Sequence, residues 1–289
     1  QGRSSFTAGF VSFARSVGTR DAVLGRVCHD AVAHQMLPEA LRRFATAVEA
    51  SPLSVVGLLR RVSFGLVDHI ALRTGVIDDA LEAATHAGAR QVVILGAGFD
   101  TRAFRLACVR TCLVYEVDHP ATQAVKSERS RGLQPLAAAL RRVACDFHGG
   151  ELTRVLLQAG FDPHAPSVWI WEGVTMYLRE RAVHETLGSI SQLSAPGSTL
   201  ISTYVRPELA RGGALWGRLG SALLSGVAEP VRFVCSKEAY RGLLAEHGFS
   251  VVSDVTAEAH AAERGVQLLR VHVGMPEKSA SIARSDEKK

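Results

Sequence analysis

Two glycines and a short set of acids in the first half of the chain are the residue types a nucleoside needs. The run Gln91-Val92-Val93-Ile94-Leu95-Gly96-Ala97-Gly98-Phe99-Asp100 is apolar until Gly96 and Gly98, then closes on a carboxylate. A buried strand turning onto a helix through such glycines is where α/β proteins bring the backbone close to a nucleotide. At the usual spacing of about 20 residues, Cys112-Leu113-Val114-Tyr115-Glu116-Val117-Asp118 reads as a second strand ending in acids. Carboxylates at that strand end can accept both ribose hydroxyls.

The kind of nucleoside follows from what is missing. A dinucleotide fingerprint carries a third glycine so that the helix packs close behind a pyrophosphate, and here that position is Thr101. Asp100 sits at the prospective helix start, where it suits the helix dipole and repels a phosphate. The pattern therefore predicts a nucleoside without phosphates, of which S-adenosylmethionine is the common one.

The elements that must position these residues alternate between strand and helix from about residue 77 onward, the signature of a doubly wound, mostly parallel sheet. After the first two strands come Arg141–Phe147, Ser167–Glu172 behind Pro163 and Pro166, Ser198–Tyr204 behind the Pro196-Gly197 turn, Phe249–Val255, and Val266–Val273. This reading makes a Rossmann-like, seven-stranded α/β domain over residues 77–277. Residues 1–76 are helical in pattern and form an appendage able to close over a ligand. A glycine-rich apolar insertion over about 205–232, with Leu215, Trp216, Leu219, Leu223 and Leu224, reads as a substrate wall. The tail 278–289 is charged and small, and is expected to be disordered.

Composition narrows the classes further. At 289 residues and 47% hydrophobic the chain can bury a large core. No apolar run approaches the ~18 residues of a membrane span and no signal-peptide pattern opens the sequence, so a cytoplasmic protein is expected. The net charge of +5 comes from scattered arginines without a lysine block, which is poor support for nucleic acid binding. Five cysteines without a CxxC and eleven histidines without HxxxH or HExxH give no metal signature.

Three ordered motifs, Leu95-Gly96-Ala97-Gly98-Phe99-Asp100-Thr101-Arg102, Tyr115-Glu116-Val117-Asp118-His119-Pro120 and Glu172-Gly173-Val174-Thr175-Met176-Tyr177-Leu178, resemble those of the leucine carboxyl methyltransferase family over about residues 5 to 205. That family includes the enzyme that methylates the C-terminal carboxylate of a protein phosphatase subunit, and bacterial relatives acting on small molecules. The resemblance implies an S-adenosylmethionine-dependent O-methyltransferase. It places Gly96 and Gly98 under the methionine part, Glu116 and Asp118 at the ribose, Asp146 and Phe147 at the adenine, and Glu172 near the methionine amine. It also implies that Arg73 grips the cofactor carboxylate, with Arg20 as a second basic partner.

On this basis Glu116→Ala is expected to cost about 1.5–3 kcal/mol of cofactor binding. The expected acceptor is a carboxylate of a lipophilic, polyketide-like small molecule, with Tyr204 at the mouth of the fifth strand positioning it. A phenol or alcohol acceptor would need a base, for which His119, His148 or Tyr204 are candidates. The alternatives are a protein carboxyl methyltransferase, a nucleic acid methyltransferase, and a silent cofactor-binding module. A small molecule fits the short appendage better than a protein C-terminus does. The oligomeric state is open.

Overall fold

The computed structural model describes residues 6–51, 53–63, 65–147, 150–207, 231–263 and 278–285. Seven strands form one sheet in the order β3-β2-β1-β4-β5-β7-β6. They are β1 (Gln91–Leu95), β2 (Leu113–Asp118), β3 (Ala139–Ala144), β4 (Ser167–Trp171), β5 (Thr199–Val205), β6 (Phe249–Thr256) and β7 (Lys278–Ser285). The first five are parallel, and β7 lies antiparallel between β5 and β6. Every residue of β1, β4 and β5 is buried, as central strands covered on both faces are, including the hydroxyl residues Thr199, Ser202 and Thr203 of β5.

Register decides where the site lies. Leu95 is paired with Val117 on one side and Trp171 on the other, so Gly96, Asp118 and Glu172 all emerge one step beyond the same edge. Strand order reverses between β1 and β4, which opens a crevice at that edge.

Helices cover both faces. One core cluster packs α7 (Leu152–Gln158), α8 (Glu180–Leu193) and α9 (Lys237–Glu246) against odd-numbered strand residues such as Val93, Tyr115 and Trp169. A second packs Ile77, Leu81 and Ala84 of α4 (Leu66–His86) against Val92, Ile94, Val114 and Ile170. The first half of α4 belongs to a third cluster, shared with α1 (Phe6–Arg20), α2 (Glu39–Glu49) and α3 (Leu53–Val62). One helix thus serves two cores, and for this reason it is buried nearly all round. At Gly75 the close approach is backbone to helix: a Cβ there would lie 2.5 Å from Val27 Cγ1 and 2.7 Å from Val27 O.

Two expectations are corrected here. A boundary between residues 76 and 77 falls inside α4, because that helix packs on the sheet with one half and on the appendage with the other. Residues 278–285 of the tail expected to be disordered supply β7: Ser281, Ile282 and Ala283 complete the ladder between β5 and β6. The segment expected to be the last strand, 266–273, lies outside the described residues, as does most of the apolar insertion, 208–230. No helix among the described residues is long and apolar enough to cross a membrane.

Candidate active site

The crevice at the switch point is a cavity of about 650 Å³, and its floor is the glycine turn. Gly96 has φ +64° and Gly98 φ +45°, both in the left-handed region that L side chains avoid. At Gly96 space forbids a side chain as well, since a Cβ would overlap Val174 Cγ2. The Gly96 and Ala97 N–H groups both donate to Val117 O, at 2.8 and 3.1 Å, which pins the turn to β2.

Asp118 is the acid that faces this turn. Its Oδ2 accepts from Gly98 N at 2.5 Å and its Oδ1 from His119 N at 2.6 Å. Burial pushes its carboxyl above the usual aspartate range, against the backbone donors that hold it down. Beside it on the cavity wall are His119, Thr122, Cys145, Asp146 and Phe147, from the ends of β2 and β3 and from α6 (Pro120–Arg129). His119 caps α6, its Nδ1 accepting from Ala121 N at 3.3 Å.

On the opposite side lies an ionic head. Glu172, the residue after β4, takes Arg73 Nε on Oε1 at 2.7 Å and Arg102 Nη1 on Oε2 at 2.9 Å. Burial alone would raise its pKa, but Arg73, Arg102 and Arg15 reverse that and hold it well below the usual glutamate range. Asp100 is held low in the same way, burial being outweighed chiefly by Arg102, with which it forms a salt bridge. Arg15 enters from α1, donating from Nη2 to Phe99 O at 2.6 Å, while its buried Nε makes no hydrogen bond. Thr101, the residue in place of the third glycine, donates to Asp30 Oδ2 at 2.6 Å and so ties the turn to the N-terminal region.

Of the residues singled out in the sequence, Arg73, Gly96, Gly98, Asp118, Asp146, Phe147 and Glu172 line one cavity. Three others do not. Glu116 is fully buried one pleat deeper in β2, beneath α6, with Lys126 Nζ at 2.9 Å and Arg142 Nε at 3.5 Å. It shares its sheet face with Asp118, but only the last residue of the strand reaches the crevice. Arg20 is exposed at the end of α1. Arg15 is the arginine of that helix on the cavity, five residues earlier and so about 140° around the axis. Tyr204 is 1% exposed, stacked on Tyr240 at 4.2 Å and donating to Asp254 Oδ2 at 3.1 Å. It belongs to the core under α9 and is absent from the cavity wall. His148 lies outside the described residues.

Sequence reasoning missed Arg15 and the apolar wall, formed by Phe10 and Val11 of α1, Leu66 and Ile70 of α4, and Met176, Tyr177 and Leu178 after β4. A signal for Arg15 existed: it is the one charge in the mostly apolar run Gly9-Phe10-Val11-Ser12-Phe13-Ala14-Arg15-Ser16-Val17, where a charge needs a reason.

The fit to S-adenosylmethionine can be tested on these residues. A glycine turn that excludes Cβ atoms, an acid at the end of β2, and paired guanidiniums and carboxylates at one pole match a nucleoside bearing a zwitterionic amino-acid head. With the sheet order and the antiparallel β7, this defines the S-adenosylmethionine-dependent methyltransferase fold.

Comparison with known proteins agrees. The chain superposes over 98% of its length on 98% of a DUF574 family protein from Streptomyces avermitilis, with TM-score 0.63 and 15% identity. It superposes over 88% of its length on 92% of a protein from Thermobifida fusca described as a methyltransferase, with TM-score 0.60 and 19% identity. The leucine carboxyl methyltransferase family model matches residues 8–191, and the chain belongs to that family. Proteins classed as S-adenosyl-L-methionine-dependent methyltransferases match at 35% identity in Mycolicibacterium smegmatis, over 75% of this chain and 76% of that protein, and in Mycobacteroides abscessus, over 68% and 66%. In the Mycobacterium avium relative the match, 42% identical, covers 48% of this chain and 46% of that protein, so the chain spans about half of that relative's length.

Proposed function

We propose that this chain transfers the methyl group of S-adenosylmethionine to the carboxylate of a lipophilic small molecule, giving a methyl ester. The observation that carries the reading is a cavity with charged residues, Arg15, Arg73, Asp100 and Glu172, and an apolar wall, in which neither His119 nor Cys145 is set up to remove a proton. His119 Nδ1 is engaged as the acceptor of Ala121 N–H at the start of α6. Burial pushes the Cys145 thiol up to about 11, so it stays protonated. A carboxylate acceptor is ionised at neutral pH and needs no base.

S-adenosylmethionine, when bound, supplies an electrophilic methyl group on a positively charged sulfur. In this reading Asp118 takes the ribose hydroxyls, Asp146 and Phe147 meet the adenine, Glu172 takes the amine, and Arg73 with Arg15 takes the methionine carboxylate. The apolar wall of Phe10, Val11, Leu66, Ile70 and Met176 excludes water and aligns the acceptor. Alignment for in-line attack can lower the barrier by about 7–11 kcal/mol.

The test is incubation with methyl-labelled cofactor and three acceptor panels: lipophilic acids, phenols of similar size, and peptides ending in a free carboxylate. Alkali-labile label on the acids supports the reading. Alkali-stable label on phenols, or label on peptides alone, replaces it with one of the other two chemistries. Cofactor binding without label on any panel would leave a silent cofactor-binding module, and failure to bind cofactor would overturn the enzyme reading.

A further inference from the structure

Two guanidiniums hold Glu172, and only one of them faces the cavity. Arg73 lines it. Arg102 is fully buried behind the turn, where it also pairs with Asp100 and donates from Nε to Asp78 Oδ1 on α4 at 2.7 Å. The second oxygen of Asp78 lies 2.7 Å from Arg105 Nη2, and Arg105 Nε lies 3.5 Å from Asp30 Oδ2. Asp30 Oδ2 is in turn 3.4 Å from Arg15 Nε. A buried chain of alternating charge thus joins Glu172 to Arg15, the two ends that reach the cavity.

We propose that Arg102, clamped by Asp78, is a positioning residue for the cofactor: it fixes the orientation of Glu172, so that Arg73, which gives Glu172 only its Nε, can turn its remaining N–H groups to a ligand carboxylate. The proposal rests on the reading in which Glu172 receives the cofactor amine. Without Arg102, Glu172 Oε2 would lose its donor, and Arg73 would be left to orient Glu172 alone while also serving the incoming carboxylate. The buried glutamate would also lose one of its two direct cations and take up a proton more readily. The charged groups that face Glu172 are Arg73 from α4, Arg102 and Asp100 from the turn and α5 (Arg102–Arg105), and Arg15 from α1. Asp118, His119, Cys145 and Asp146 stand across the same cavity. Only an ionised Glu172 pairs with an ammonium, so the loss must grow as the pH falls.

Calorimetric binding of S-adenosylhomocysteine to the full chain tests this at about pH 8 and about pH 5 in the wild type, Arg102→Gln, Asp78→Asn and Glu172→Gln. Arg102→Gln is expected to weaken binding about tenfold at the higher pH and by about a further tenfold, relative to the wild type, at the lower. Asp78→Asn should shift in the same direction, and it decides the matter alone if Arg102→Gln does not fold. Glu172→Gln should bind weakly at both pH values, with no added loss at the lower one. Wild-type binding by Arg102→Gln and Asp78→Asn, or losses equal at both pH values as a purely structural role would give, overturns the proposal. Wild-type binding by Glu172→Gln instead overturns the reading of Glu172 beneath it.

Discussion

Glu116 and Glu172 show how little residue type alone decides. Both are glutamates in or just after a strand of the sheet, and cofactor contact was expected of each. Glu116 is sealed under α6 against Lys126, so Glu116→Gln should leave cofactor affinity unchanged. It should instead cost about 3–5 kcal/mol of stability, because Lys126 would remain buried without its charge partner. Urea unfolding together with cofactor titration checks both halves. Glu172 has the opposite pH signature to Asp118. Its folded pKa is depressed, so its contribution to stability is present above about pH 4.5, the ordinary glutamate range, and drains away as the pH falls below it. Asp118 is raised by burial, so on its own it favours the fold at low pH and less so as the pH climbs through its folded value. The thermal midpoint of Glu172→Gln should therefore change less between about pH 6 and pH 3 than that of the wild type.

At the scale of the element, α4 is the device that joins the appendage to the sheet. Its fit depends on Gly75, where the helix meets Val27 closely enough to exclude a methyl group. Gly75→Ala would ordinarily favour a helix by up to about 1 kcal/mol. Here it should destabilise by about 1–3 kcal/mol, because part of the clash is with backbone that cannot move independently. Chemical denaturation of the purified variant measures the sign. The strand positions were largely legible in the sequence, since β1, β2 and β4 are mainly apolar runs bounded by glycine, proline or acids, and β5 is rich in β-branched residues and follows the Pro196-Gly197 turn. The last strand was not: Ser281-Ile282-Ala283 has weak strand character and owes its place to open edges on β5 and β6.

At the scale of the molecule, the cavity lies between two bodies of structure, with Arg15, Leu66 and Arg73 contributed by helices and Gly96, Asp118 and Glu172 by strand ends. A ligand bound there is held by both and should stabilise the whole. S-adenosylhomocysteine at about 100 times its Kd should raise unfolding free energy by about 2.7 kcal/mol. Hydrogen exchange should slow in α1 as well as around the glycine turn, and protection confined to the turn would show that the N-terminal helices do not share the ligand.

The sequence by itself determined the first five strands, the turn and Asp118, because strand ends and glycine turns are local features written in consecutive residues, and the resemblance to the family added Arg73, Asp146, Phe147 and Glu172. Only the tertiary structure decided that Arg15 and not Arg20 faces the cavity, that Glu116 and Tyr204 belong to the core, and that Arg102 stands behind Glu172. Each of those depends on which helix face, or which step of a strand, meets a partner distant in sequence. The ion pair of Arg73 with Glu172 spans 99 residues and exists only once the sheet is built.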